Sequence, residues 1–158
     1  MSTSQPAHCE FNSGDLIVRV VHRLPADVNL ISPVVADVMR VVGEMGCAEG
    51  EEFEIELALR EALANAIQHG GKNDPSKQIE CCVACDKERG MLLVVRDPGA
   101  GFDPNELPSP ILGSNLFSTH GRGIFLINQL MDEVRFEKGG TEIHMVKRVS
   151  GNGPASGR

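Results

Sequence analysis

The chain has no tryptophan and no tyrosine, and its six phenylalanines make up the whole 4% aromatic share of 158 residues. A core built from this composition has to be aliphatic. Long apolar runs are also missing: none approaches the ~20 consecutive residues that a membrane-spanning helix needs. Basic residues are outnumbered, 15 Lys and Arg against 22 Asp and Glu, for a formal net charge of −7. Such an acid excess disfavours binding to nucleic-acid backbones through bulk charge. Any anion that the protein holds has to be gripped locally, by amides, a metal or a few basic side chains. The N-terminus carries no signal-peptide pattern, and the five cysteines (Cys9, Cys47, Cys81, Cys82, Cys85) are odd in number. These features are read as those of a soluble protein in a reducing cytoplasm.

A hydrophobic share of 41% is enough for a sizeable core, and the length suits one compact domain. Residues 1–14 and 150–158 are polar and aperiodic and read as flexible tails around a domain at 15–149. Leu16 to Leu24 alternates and is rich in Val and Ile, a strand that Pro25 ends. Asp27 is placed to cap a helix reaching Met45, with Val34, Val35, Val38, Val41 and Val42 on one side and Gly46 as terminator. Glu51 to His69 has the clearest helical period, through Ile55, Leu59, Ala62, Leu63 and Ala66, and ends at Gly70-Gly71. Gln78 to Cys85 and Met91 to Arg96 read as paired strands. The stretch from Pro98 to His120 reads as loop, and Ile124 to Met131 as helix. Val134 to Lys138 and Thr141 to Val149 form a hairpin turning at Gly139-Gly140. The pattern predicts an α+β fold, a two-layer sandwich whose mostly antiparallel sheet is covered on one face by helices.

Glu61, Asn65 and His69 recur at i, i+4 spacing and share one stripe of the second helix, beside its apolar face. The neutral oxygen of Asn65 suits Mg²⁺, which takes few protein ligands and fills its shell with water and phosphate. Glu61, one turn away, can accept a proton from an attacking hydroxyl. The same spacing also describes an ordinary solvated helix edge. His69, just before two glycines, suits a helix-end capping role. Asp97 closes the strand Met91-Leu-Leu-Val-Val-Arg and leads into Pro98-Gly-Ala-Gly101. Its carboxylate can accept from an exocyclic amine such as that of adenine, with Gly99 and Gly101 letting a flat ring lie against the backbone. A simple Asp-containing turn is the alternative. Gly121-Arg122-Gly123 reads as a loop entering a helix, with free N–H groups for an anion and Arg122 adding charge. It fits neither the dinucleotide fingerprint nor the P-loop. Cys82-x-x-Cys85 lacks the second ligand pair that zinc requires, and strand alternation turns the two side chains to opposite faces, so they read as structural.

In their order and spacing these motifs resemble the Bergerat-fold, or GHKL, ATPase superfamily, and within it the small bacterial anti-sigma factor serine/threonine kinases. The matching segments are Glu61-Ala-Leu-Ala-Asn65-Ala-Ile-Gln-His69-Gly70, Asp97-Pro-Gly-Ala-Gly101-Phe-Asp-Pro104, Gly121-Arg-Gly-Ile-Phe-Leu-Ile127, Met131-Asp-Glu-Val134 and Gly140-Thr141. The likeness runs from about Leu16 to Arg148. It implies ATP and Mg²⁺ as cofactors, with Asn65 on the metal and Glu61 as general base. It further implies that Asp97 binds the adenine amine, that Gly99 and Gly101 shape the adenine pocket and that Thr141 supports it. Gly121, Arg122 and Gly123 would meet the phosphates, under an ATP lid from Pro104 to His120. The implied activity is phosphorylation of a STAS-domain anti-sigma factor antagonist, with a sigma factor as second partner and a homodimer as assembly. A binding module that sequesters a partner without phosphoryl transfer is the alternative function.

Overall fold

In a computed structural model of the chain, residues 16–46, 48–86, 90–99 and 119–148 are described. The expected tails, Gly101 and most of the expected lid fall outside them. The strand β1 (Leu16–Pro25) is followed by a 3-10 turn, Val28–Leu30, which Asp27 caps by accepting the Asn29 N–H at 2.9 Å. The turn runs into helix α1 (Ile31–Met45), which Gly46 closes in the left-handed conformation at φ 72°. Val35, Val38 and Val42 of α1 are buried. Helix α2 (Glu52–Asn65) has Glu52 and Glu54 in its first turn, where the helix dipole favours acids. Its apolar stripe, Ile55, Leu59, Ala62 and Leu63, is wholly buried.

Strands β2 (Gln78–Asp86) and β3 (Gly90–Arg96) form a hairpin, helix α3 (Thr119–Leu130) follows, and β4 (Glu133–Glu137) and β5 (Glu142–Lys147) close the domain. The two-layer expectation holds. The five strands stand in the order β1-β2-β3-β5-β4, and every neighbouring pair is antiparallel. The β4–β5 turn does fall at Gly139-Gly140, with both residues at positive φ. One face of the sheet carries Ile79, Cys81, Val83, Cys85, Met91, Leu93, Val95, Ile143 and Met145 into the main core beneath the helices. A smaller buried cluster of Cys82, Ala84, Leu92 and Val94 occupies the reverse face.

The structure departs from the sequence reading at the start of α3 and at the cysteines, and it ends α2 at Asn65 rather than His69. The helix after the expected lid begins at Thr119 rather than Ile124, so Gly121, Arg122 and Gly123 lie within the first turns of α3 and not in a loop ahead of it. Cys82 and Cys85 do face opposite ways, and both are disulfide-bonded, which the sequence reading did not expect. Among the described residues no helix is long and apolar enough to cross a membrane.

Cys81 is the free thiol among the described cysteines, and it is fully buried. Burial first, and the neighbouring Glu80 carboxylate second, push its pKa up to about 12. Native protein treated with iodoacetamide at mildly alkaline pH should therefore stay unlabelled at Cys81 and become labelled in denaturant. Prompt labelling of Cys81 in the native state, mapped by mass spectrometry, would contradict this packing.

Candidate functional site

The site begins where α2 stops being an α-helix. After Asn65 the chain widens into a π-helical turn, Ala66–Gly70, in which the Gly71 N–H reaches the Ala66 carbonyl at 2.8 Å. Such wide turns carry an extra residue per turn and are frequent at functional sites. Here the extra residue brings Gly70 against the end of β3. A Cβ on Gly70 would lie 2.1 Å from the Asp97 Cγ, and one on Gly99 would lie 2.8 Å from the Gly70 carbonyl oxygen. Both glycines are therefore required by backbone approach between helix layer and sheet. For Gly99 this is a reason additional to the expected one, room for a flat ring.

Asp97 is fixed from three sides. Its N–H donates to the Thr141 carbonyl at 2.9 Å, its Oδ1 accepts the Gly99 N–H at 2.7 Å, and Gly70 packs on the carboxyl. Burial raises its pKa above the ordinary carboxylate value, and the Gly99 N–H offsets part of that rise. Thr141 follows the β4–β5 turn, and its hydroxyl donates to the Lys138 carbonyl at 2.9 Å. Thr141 thus meets Asp97 through its backbone carbonyl.

Between these parts lies a cavity of about 250 Å³. Asn65, Asp97 and Thr141 line it, together with His69, Lys72, Val95, Phe136 and Ile143. The sequence reading gave His69 a capping role, whereas the structure sets it on the cavity. Burial, and then the nearby Lys72 charge, lower the His69 pKa, which keeps the ring neutral at physiological pH. Lys72 was missed altogether. Its left-handed backbone (φ 56°) is a signal that no motif carries. Val95 and Ile143 were legible as inward strand positions, but their being opposite one another follows from the β3–β5 register.

Glu61 is not among the residues that line the cavity. It lies one helical turn from Asn65, at the approach of α3. A Cβ on Gly123 would stand 2.9 Å from Asn65 Nδ2 and 3.0 Å from Glu61 Oε1, so the acid and the carboxamide flank one spot on α3. The far end of α3 is held by Lys147, which donates to the Leu130 carbonyl at 2.6 Å and pairs with Glu51 at the start of α2 at 3.3 Å. The two helices are thereby tied at one end and brought close at the other. Gly121 and Arg122 belong to the first turn of α3, where N–H groups lack intrahelical acceptors. No cluster of three or more His, Cys, Asp or Glu suited to a metal exists among the described residues. A metal here would have to complete its shell from phosphate and water, which is how Mg²⁺ with one Asn oxygen is held.

A helix-covered antiparallel sheet thus brings an acid at a strand end, a carboxamide on the facing helix and a glycine contact from a third helix together beside one cavity. The chain belongs to the histidine kinase-like ATPase domain family, whose match covers residues 24–147. It is also similar to serine-protein kinase RsbW of Bacillus subtilis (strain 168), with 28% identity over 147 residues, 89% of each chain. Serine-protein kinase RsbW of Staphylococcus epidermidis is 29% identical over 135 residues, 80% of this chain and 84% of the relative. That of Bacillus cereus (strain Q1) is 26% identical over 123 residues, 74% and 76% of the two chains.

The raised Asp97 pKa has a definite sign in stability. Just above the ordinary carboxylate range the folded protein binds more protons than the unfolded chain, so stability falls as pH rises through that window. Asp97→Asn should thus melt no lower than wild type at neutral pH, lose its advantage as the solution is acidified, and bind ATP poorly. A clear drop in Tm at neutral pH would show that the carboxylate stabilises the fold instead. Gly70→Ala should lose about 1–3 kcal/mol by urea titration, because Asp97 must move to admit the methyl; an unchanged midpoint would refute the tight approach.

Proposed function

We propose that this chain is an ATP-dependent serine/threonine protein kinase that works as an anti-sigma, partner-switching factor. The observation that carries this reading is the joint presence of kinship to serine-protein kinases along most of the chain and the Glu61–Asn65–Gly123 meeting point beside the cavity. The adenine amine donates to Asp97, and the base lies between Val95 and Ile143 of the sheet and Ala66 of the π turn. Asn65 would hold Mg²⁺, which supplies charge neutralisation on the phosphates. The start of α3, with Gly121, Arg122 and Gly123, faces the terminal phosphate, the first-turn amides supplying donors. Glu61 takes the proton from the incoming serine or threonine hydroxyl as its oxygen bonds to phosphorus and the bond to the ADP oxygen breaks.

That hydroxyl belongs to a STAS-domain antagonist, and the unphosphorylated antagonist competes with a sigma factor for the kinase in the cytoplasm. The working assembly is a homodimer. Gly101 and the lid from Pro104 to His120 contribute through the family pattern, and of that stretch only Thr119 and His120 are among the described residues.

Mg·ATP at a hundred times its Kd should stabilise the protein by about 2.7 kcal/mol in a thermal-shift experiment. With a cognate STAS-domain antagonist added, phosphoserine or phosphothreonine should form. Glu61→Gln should keep ATP affinity and cut the transfer rate by about 10²–10⁴-fold. Transfer at the wild-type rate would remove Glu61 from the base role. ATP binding with no transfer to any antagonist would point to sequestration without catalysis.

A further inference from the structure

The reverse face of the sheet, turned away from the cavity, carries a row of charges at one level. Register pairs Arg23 of β1 with Glu80 of β2, Glu80 with Arg96 of β3, and Arg96 with Glu142 of β5. The side chains follow the register. Arg23 Nη2 lies 2.9 Å from Glu80 Oε2, Arg96 Nη2 lies 2.8 Å from Glu80 Oε1, and Arg96 Nη1 lies 3.5 Å from Glu142 Oε2. His144 Nε2 stands 3.0 Å from Glu142 Oε1. Glu142 is only 1% exposed, and its Oε2 has no hydrogen-bond partner, so the charge that opposes it is that of Arg96.

The place of this row in the chain gives it meaning. Side chains alternate along a strand. Arg96 therefore sits between Val95 and Asp97, which face the cavity, and Glu142 between Thr141 and Ile143, which face it too. The Arg96–Glu142 pair is directly behind the floor of the site, at the step where the Asp97 N–H meets the Thr141 carbonyl. Burying a pair of ions rarely stabilises a fold more than an apolar pair of equal volume, so stability alone does not account for one here. An ion pair differs in having direction: it fixes the lateral offset between two strand ends.

We propose that Arg96 and Glu142 are positioning residues for the nucleotide. From the reverse face they hold the β3 and β5 ends in the offset that aims Asp97 and Thr141 at the base. This inference rests on the ATP-site reading. It predicts an effect on the base end of the ligand rather than on phosphoryl transfer, since Glu61 and Asn65 sit on a different element.

The test compares adenosine and ATP affinity by calorimetry, and turnover at saturating ATP, for wild type, Arg96→Met, Arg96→Lys, the double variant Arg96→Met with Glu142→Met, and Arg23→Met. Arg96→Met should weaken adenosine and ATP alike by about tenfold. Its kcat at saturating ATP should stay within about twofold of wild type. Arg96→Lys should recover most of the affinity, because a cation is restored. The double variant leaves no unopposed charge at position 142 and keeps Glu80 paired with Arg23, so it should fold and yet still bind weakly. Arg23→Met, at the exposed far end of the row, should bind as wild type does. Wild-type affinity in the double variant would overturn the inference, because charge burial alone would then explain the single change. Equal affinities in folded wild type and Arg96→Met would overturn it as well. A wild-type protein that binds neither adenosine nor ATP would instead refute the nucleotide site, and the inference with it.

Discussion

The site depends on the close approach of Gly70 to Asp97. A sheet and a helix layer ordinarily keep the distance that their side chains set. At this point the helix contributes no side chain, and a methyl group there would overlap the carboxyl it faces. The gap closes locally, and Gly70 and Asp97 both line the cavity. The π-helical turn after Asn65 makes the approach possible, because a regular helix would present a different residue to the strand end. Gly99, packed on the Gly70 backbone, extends the same contact on the sheet side.

That closeness has an electrostatic cost. Asp97 loses water on the side covered by Gly70 and recovers one N–H, from Gly99, so its charged form is disfavoured in the protein without ligand. Under the proposed function, the adenine amine would supply the missing donor. His69 lines the same cavity, and burial and the nearby Lys72 charge lower its pKa. The reverse face takes the opposite approach, answering each buried glutamate with an arginine across the ladder. The two sides of the floor thus differ in kind: one carboxylate left short of partners and a row of carboxylates with them.

Much of this was legible in the residues. The apolar period of α2 names the side that is buried, and Glu61 and Asn65 fall on its border as the helical period requires. Alternation along β2 correctly turns Cys82 and Cys85 to opposite faces, though their disulfide bonds were not anticipated. The start of α3 was misread because Gly121 and Gly123 are poor helix formers, and tertiary contact overrode that propensity. Gly123 inside a helix is accounted for by its neighbours: a Cβ would strike Asn65 and Glu61. Lys72 escaped notice because a left-handed turn, not a spacing, carries it to the cavity.

The sequence by itself determined the layers, the hairpins and the order of the chemical groups, because periodicity and turn residues are local properties of the chain. It also determined that an acid and a carboxamide share a helix stripe, since that follows from 3.6 residues per turn. Tertiary structure alone decided which groups meet. The β3–β5 register set Asp97 beside Thr141 and Arg96 beside Glu142, and the widened turn after Asn65 set Gly70 on Asp97. Those are distances between segments far apart in the chain, fixed by packing and pairing, and no local pattern encodes them.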